Sequence, residues 1–71
     1  MKPTTIITIQ TPQELARQII LAHVRAENTV PSVQYVREQP GLSIPEANRI
    51  IECVFKNECV EVDDDVWEVK E

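Results

Sequence analysis

The sequence predicts a small α+β domain spanning residues 1–71, with an N-terminal strand, three helices and a C-terminal β-hairpin. Three observations support this prediction. A β-branched run opens the chain, hydroxyl residues followed by prolines mark helix starts, and apolar residues alternate with acidic ones near the end. With 71 residues, of which 42% are hydrophobic and 27% charged, the chain has the size and composition of one folded domain.

The first predicted element is a strand over residues 4–10, TTIITIQ, bounded by prolines. Its isoleucines make both faces apolar, so the strand offers an edge for a homodimer unless it inserts between the hairpin and the body. A helix follows, because Thr11 and Glu14 form a capping box around Pro12. Its apolar residues share one broad side of the helix: Leu15, Ala16, Ile19, Ile20, Ala22, Val24 and Ala26.

Two more helices are predicted, near residues 31–39 and 44–56. Thr29 and Ser43 each precede a β-branched residue and a proline, which is a typical helix start. Ser43 also forms a full capping box with Glu46.

Pro40 and Gly41 end the second helix in a tight turn, since proline cannot continue a helix and glycine accepts a left-handed exit. In the last helix the periodicity assigns an inner face to Ala47, Ile50, Ile51 and Val54, with Ile44 and Phe55 at its margin. The polar residues Asn48, Arg49, Glu52 and Lys56 point outward.

The end of the chain predicts a hairpin around three consecutive aspartates. A turn of two or four residues places Val60 opposite Trp67, with Val69 on the same face, whereas a three-residue turn places Val60 opposite Glu68. Because no Gly or Asn is present for a two-residue type I′ turn, we expect a loop over residues 62–65. Trp67 is expected to pack against the last helix near Phe55, with an exposed interface role as the alternative.

The net charge of -5 is unevenly placed. Residues 1–57 carry six basic and five acidic side chains, whereas residues 58–71 carry seven acidic side chains and one lysine. A domain that binds DNA through phosphates usually has a basic stripe, which this sequence does not show.

Between residues 33 and 51 the chain resembles the helix-turn-helix pattern of bacterial and phage regulators. The apolar positions and the turn glycine of that pattern are matched by Val33, Val36, Gly41, Leu42, Ala47 and Ile50. With the predicted element order, the whole chain resembles a winged helix-turn-helix domain whose strand is displaced to the N-terminus. Arg37 replaces a small buried residue of the pattern and Pro40 an aliphatic one, which predicts a changed inter-helix angle or a longer turn.

The resemblance implies that the last helix enters the DNA major groove. It nominates Ser43, Asn48, Arg49 and Lys56 as DNA-binding residues, beside the groove-facing Glu46 and Glu52. By their bidentate donors, Asn48 suits adenine and Arg49 suits guanine. An ordinary solvated helix face is the alternative interpretation.

A second set of candidate residues is the acidic group on the hairpin. These residues either bind a basic protein, exclude nonspecific nucleic acid or only add solubility: Glu61, Asp63, Asp64, Asp65 and Glu68. The overall prediction is a non-catalytic regulatory module with transcription-related DNA binding through the last helix. The alternative is an acidic protein-protein interaction module, such as an adaptor, an inhibitor or a DNA mimic, with a basic protein as partner.

No cofactor and no metal are predicted. Cys53 and Cys59 have a spacing that fits no metal or redox motif, so two partly buried free thiols are expected rather than a disulfide. His23 is expected to be a neutral, hydrogen-bonded residue at the core margin, with a pH-sensing or catalytic role as the alternative. The aspartates lack the glycine of a calcium loop. Short aliphatic runs and no export signal predict a cytoplasmic protein without a membrane partner.

Overall fold

A computed structural model describes residues 11–70 of the chain. Three helices precede a two-stranded antiparallel sheet, in the order α1 (Pro12–Glu27), α2 (Val33–Glu38), α3 (Ile44–Asn57), β1 (Cys59–Asp63) and β2 (Val66–Val69). This confirms the predicted α+β class, the three helices and the C-terminal hairpin, a layout compatible with a winged-helix arrangement. The predicted strand over residues 4–10, and the dimer edge it offers, lie outside the described residues.

The first helix begins as predicted. The Thr11 hydroxyl accepts a hydrogen bond from the Glu14 amide at 3.1 Å, and Pro12 occupies the first turn. The Glu14 carboxylate, however, accepts from the side chains of Arg17 and Gln18, so only the Thr11 half of the predicted capping box is among the contacts of residues 11–70. The buried residues of the helix are Ala16, Ile20, Leu21 and Val24. Leu21 was not assigned to the apolar side, whereas Leu15 and Ile19, which were, are half-buried.

Two alanines assigned to the apolar side of α1 are exposed. Ala22 and Ala26 lie at the edge of the broad arc, outside the buried stripe of α1. An alanine tolerates that exposure because its small side chain and high helix propensity cost little there.

The second helix begins at Ser32, three residues after the predicted cap at Thr29. The Ser32 hydroxyl accepts from the Tyr35 amide at 3.1 Å. The Thr29 hydroxyl instead lies 3.0 Å from Nε2 of His23, so it is engaged across the connection rather than at a helix start. The prediction over residues 31–39 was therefore too long at both ends.

The third helix agrees closely with the prediction. Ser43 and Glu46 form the full capping box, with the Glu46 amide 3.3 Å from the Ser43 hydroxyl and the Ser43 amide 3.2 Å from the Glu46 carboxylate. Phe55 is buried rather than marginal, and Ile44 is 54% exposed. The inward side chains of α3 pack on α1 and α2 around the fully buried Ile20, Val24 and Val36.

The expected register, with a loop over residues 62–65 and Val60 opposite Trp67, was wrong, and the alternative pairing of Val60 with Glu68 is the one observed. Val60 pairs with Glu68 and Glu61 pairs with Trp67, while Cys59 pairs with Val69. Asp64 and Asp65 form the turn, with Asp65 in the left-handed region at φ 59°, a conformation that Asp tolerates better than most residues.

An irregularity between Glu61 and Asp63 leaves Val62 as the extra residue of a bulge. Between the bulge and the start of β1, that extra residue changes which side chains of β1 share a face with Trp67 and Val69. Cys59 therefore faces the core, whereas Val60, which was predicted to do so, is 43% exposed.

The hairpin is attached to the helices at Trp67. Its ring meets Phe55 edge-to-face at a centroid distance of 4.9 Å, which confirms the predicted packing against the last helix. Its amide donates to the Asn28 carbonyl at 2.8 Å, and its carbonyl accepts from the Asn28 side-chain amide at 2.9 Å. Asn28 thus satisfies both backbone groups of Trp67 on the edge of β2.

Within residues 11–70 no helix is long and apolar enough to cross a membrane.

Candidate nucleic-acid interface on the third helix

The turn before α3 fixes the start of the candidate site. Gly41 has φ 75°, and the amides of Gly41 and Leu42 both donate to the Arg37 carbonyl, at 2.9 and 3.0 Å. The Arg37 side chain spans the same turn, because its Nε donates to the Leu42 carbonyl at 3.0 Å. Arg37 is half-buried, with its side chain held at the turn rather than in the core.

The residues nominated for DNA contact lie on the exposed side of α3. Ser43, Asn48, Arg49 and Lys56 are all exposed. Arg49 and Lys56 lie along the same shallow groove of about 320 Å³, together with Glu52, Cys53 and Asn57. Ser43 lies at the start of the helix and Asn48 lies outside the groove lining, so the structure brings two of the four residues together there.

Acidic residues alternate with the basic ones on this face. Glu46 and Glu52 are exposed beside Arg49 and Lys56. Hydrogen bonds from the Ser43 amide and hydroxyl hold the pKa of Glu46 below its ordinary value, and the positive charge of Arg49 adds to this effect. Among residues 11–70 neither Arg49 nor Lys56 forms an ion pair within 4 Å, since both pairs found there involve Arg17. Their donors are therefore available to a ligand.

The acidic residues of the hairpin form a separate surface. Its five carboxylates, on Glu61, Asp63, Asp64, Asp65 and Glu68, are all exposed. Within the turn the Asp64 amide donates to the Asp63 carboxylate at 2.8 Å. The Asp65 amide lies 3.4 Å from the Glu61 carboxylate. These contacts shape the turn, and residues 11–70 contain no group of three acidic, His or Cys side chains placed to hold a metal ion.

The two cysteines are both free, but they differ in environment. Cys59 is buried on the inner face of β1, and burial raises the pKa of its thiol. Cys53 is exposed on α3, where its Sγ lies 3.4 Å from the Asn57 side-chain amide. The expectation of two partly buried thiols is thus wrong for Cys53, which lies on the outward side of α3 with Arg49 and Lys56.

His23 lies at the core margin as expected. It is half-buried, its Nε2 lies 3.0 Å from the Thr29 hydroxyl, and its ring lies 5.7 Å from that of Tyr35. The imidazole thus contacts Thr29 and, through a tilted ring pair with an interplanar angle of 53°, Tyr35 on α2.

Two features that position the site escaped the sequence analysis. Asn28 ends α1 in the left-handed region at φ 61°, and an Asn directly after a periodic helix is a signal that identifies such an ending. Arg17 and Glu58 form a two-pronged ion pair, with the Arg17 Nε 2.7 Å from the Glu58 carboxylate, that joins α1 to the junction of α3 and β1. No sequence signal indicates this pair, since its members lie 41 positions apart.

Comparison with known proteins adds no relative from which a role can be transferred. No family model, no curated protein and no solved structure matches this chain.

Proposed function

We propose that this chain is a non-catalytic regulatory binding module of the winged helix-turn-helix type, which binds DNA through α3. One observation carries the proposal. A tight glycine turn joins α2 to α3, and the outer face of α3 is exposed to solvent. Asn48, Arg49 and Lys56 project from that face.

In this proposal each side chain has a distinct role. The Asn48 amide is suited to adenine and the Arg49 guanidinium to guanine, because each can make two hydrogen bonds to one base edge in the major groove. Lys56, two turns further along α3, supplies a charge for a phosphate. Ser43 fixes the start of α3 through its capping box with Glu46, so its role in this proposal is to position the helix.

The charge distribution sets the expected strength and orientation of binding. Because Glu46 and Glu52 offset the two basic residues, long-range attraction to DNA is weak and affinity depends on close contacts. The acidic hairpin repels phosphates, so the duplex lies along α3 with the aspartate turn directed away from it. Such a module selects among sequences more than it binds DNA in general.

The test is fluorescence anisotropy with duplexes selected by the protein from a random-sequence pool at low salt. Arg49→Ala is expected to weaken binding by about 1 to 3 kcal/mol and to relax the preference at one base pair, whereas Lys56→Ala weakens all duplexes alike. Arg25→Ala is the matched control, since it removes an exposed arginine from α1. The proposal fails if the triple variant of Asn48, Arg49 and Lys56 to alanine folds and binds the selected duplex as tightly as the wild type.

A second function is favoured by the hairpin. Five exposed carboxylates lie within residues 59–69, which contain no basic residue, and this surface favours a basic protein over DNA. We therefore propose protein binding through the hairpin as the alternative function of the chain. It predicts salt-sensitive binding of a basic partner that survives alanine substitutions on α3.

A further inference from the structure

The hairpin has an outer face that the core does not cover. The register turns Cys59, Trp67 and Val69 toward the helices, so the residues between them face away. On that outer side Val60 pairs with Glu68, and Val66 pairs with Asp63 across the turn.

Three large apolar side chains are exposed on this short hairpin. Val60 is 43% exposed, Val66 is 37% exposed, and Val62 in the bulge is 50% exposed. A strand propensity alone does not require valine at these positions, because threonine serves equally well on a solvated face. Valines clustered on one small exposed sheet, rather than scattered singly, are typical of a surface that another molecule covers.

The negative charge around the exposed valines indicates what kind of molecule covers them. The carboxylates of Asp63 and Glu68 lie on the same face as the valines, and Asp64 and Asp65 lie in the adjoining turn. No basic residue lies between positions 59 and 69. This concentration of negative charge repels DNA, an anionic membrane and a second copy of the same hairpin. It attracts a surface on which lysines or arginines surround aliphatic side chains.

We infer that the outer hairpin face, formed by Val60, Val62, Val66 and their acidic neighbours, docks a segment of a partner protein that combines aliphatic with basic side chains. The valines provide the contact area that determines how long the complex lasts, and the carboxylates accelerate association at low salt. This inference deepens the second proposed function, protein binding, and is independent of DNA contact by α3.

The test uses a displayed library of random peptides selected on the full chain. We expect the enriched peptides to combine aliphatic residues with lysine or arginine and to shift the backbone amide resonances of β1 and β2. With one such peptide, Val60→Thr combined with Val66→Thr should raise Kd about tenfold, because two exposed methyl contacts are lost. Asp63→Asn, Asp64→Asn and Asp65→Asn together should slow association at low salt and have little effect at high salt.

The controls separate this inference from the broader function. Arg49→Ala with Lys56→Ala should leave peptide binding unchanged, and equal melting temperatures show that the threonine variant is folded. Peptides without basic residues, or peptides that shift α3 rather than the hairpin, overturn the inference. If the asparagine variant loses binding while the threonine variant keeps it, protein binding through the acidic residues stands and the valine face is excluded as its docking surface.

Discussion

Asn28 combines several structural roles at the end of α1. Its backbone ends α1 by adopting the left-handed conformation, and its amide donates to the Val24 carbonyl at 2.8 Å. Its side-chain amide and its carbonyl then complete both hydrogen bonds of Trp67. Asparagine suits this position because it tolerates the left-handed region and carries a second amide donor.

We expect Asn28→Ala to lower the free energy of unfolding by about 2 kcal/mol, since it combines left-handed strain with the loss of one hydrogen bond. Asn28→Gly is the matched control, because glycine keeps the conformation and loses only the side-chain donor. Urea denaturation measures both. Equal destabilisation of the two variants contradicts the assigned role of the backbone conformation.

Glu58 provides a pH-dependent contribution to stability. The hydrogen bonds from Arg17 hold the pKa of Glu58 below its ordinary value, and the same pair raises the pKa of Arg17. A carboxylate whose folded pKa is lowered stabilises the fold above its unfolded pKa, and that stabilisation is lost as the pH falls through the folded pKa.

Glu58→Gln should therefore lower the melting temperature at pH 7, and the difference from the wild type should disappear as the pH falls well below the ordinary value of 4.5. Glu61→Gln is the control, since Glu61 is exposed on the hairpin and forms no ion pair among residues 11–70. A difference that stays constant down to acidic pH contradicts the ion-pair explanation.

At the scale of elements, local signals were sufficient for α3 and insufficient for the hairpin. The capping box of Ser43 and Glu46 depends on residues three apart, so the sequence predicts the helix start correctly. Two hydroxyl residues compete for the start of α2, and the contact of Thr29 with His23 leaves the cap to Ser32. That contact belongs to tertiary structure and has no local signature.

The register of the hairpin also depends on tertiary structure that has no local sequence signature. The bulge at Val62 adds one residue to β1, and alternation along the sequence cannot reveal where such a residue lies. Packing decides the outcome, because this register lets Trp67 contact Phe55 and places Cys59 in the same hydrophobic core.

The two thiols test this register. A thiol reagent should modify the exposed Cys53 rapidly and the buried Cys59 only on unfolding, because burial both shields that thiol and raises its pKa. Cys53→Ser should therefore leave a folded protein without a rapidly reacting thiol. Rapid modification of Cys59 in that variant contradicts the register and favours the predicted one, in which Val60 faces the core.

At the scale of the whole molecule, the chain has two surfaces of different character. The outer face of α3 carries nearly balanced charge with available donors on Arg49 and Lys56, whereas the hairpin carries only negative charge. The sequence predicts this separation because charge can be counted along the chain. It does not predict the exposed valines of the hairpin, which depend on the register.

The central claim is that α3, and not the hairpin, binds DNA. The most direct measurement is an NMR titration of the isotope-labelled chain with a selected duplex, in which each backbone amide reports its own contact. The proposal predicts that the shifts concentrate between Ser43 and Asn57 and leave β1 and β2 nearly unchanged. Shifts concentrated on the hairpin, or no shifts at low salt, contradict it.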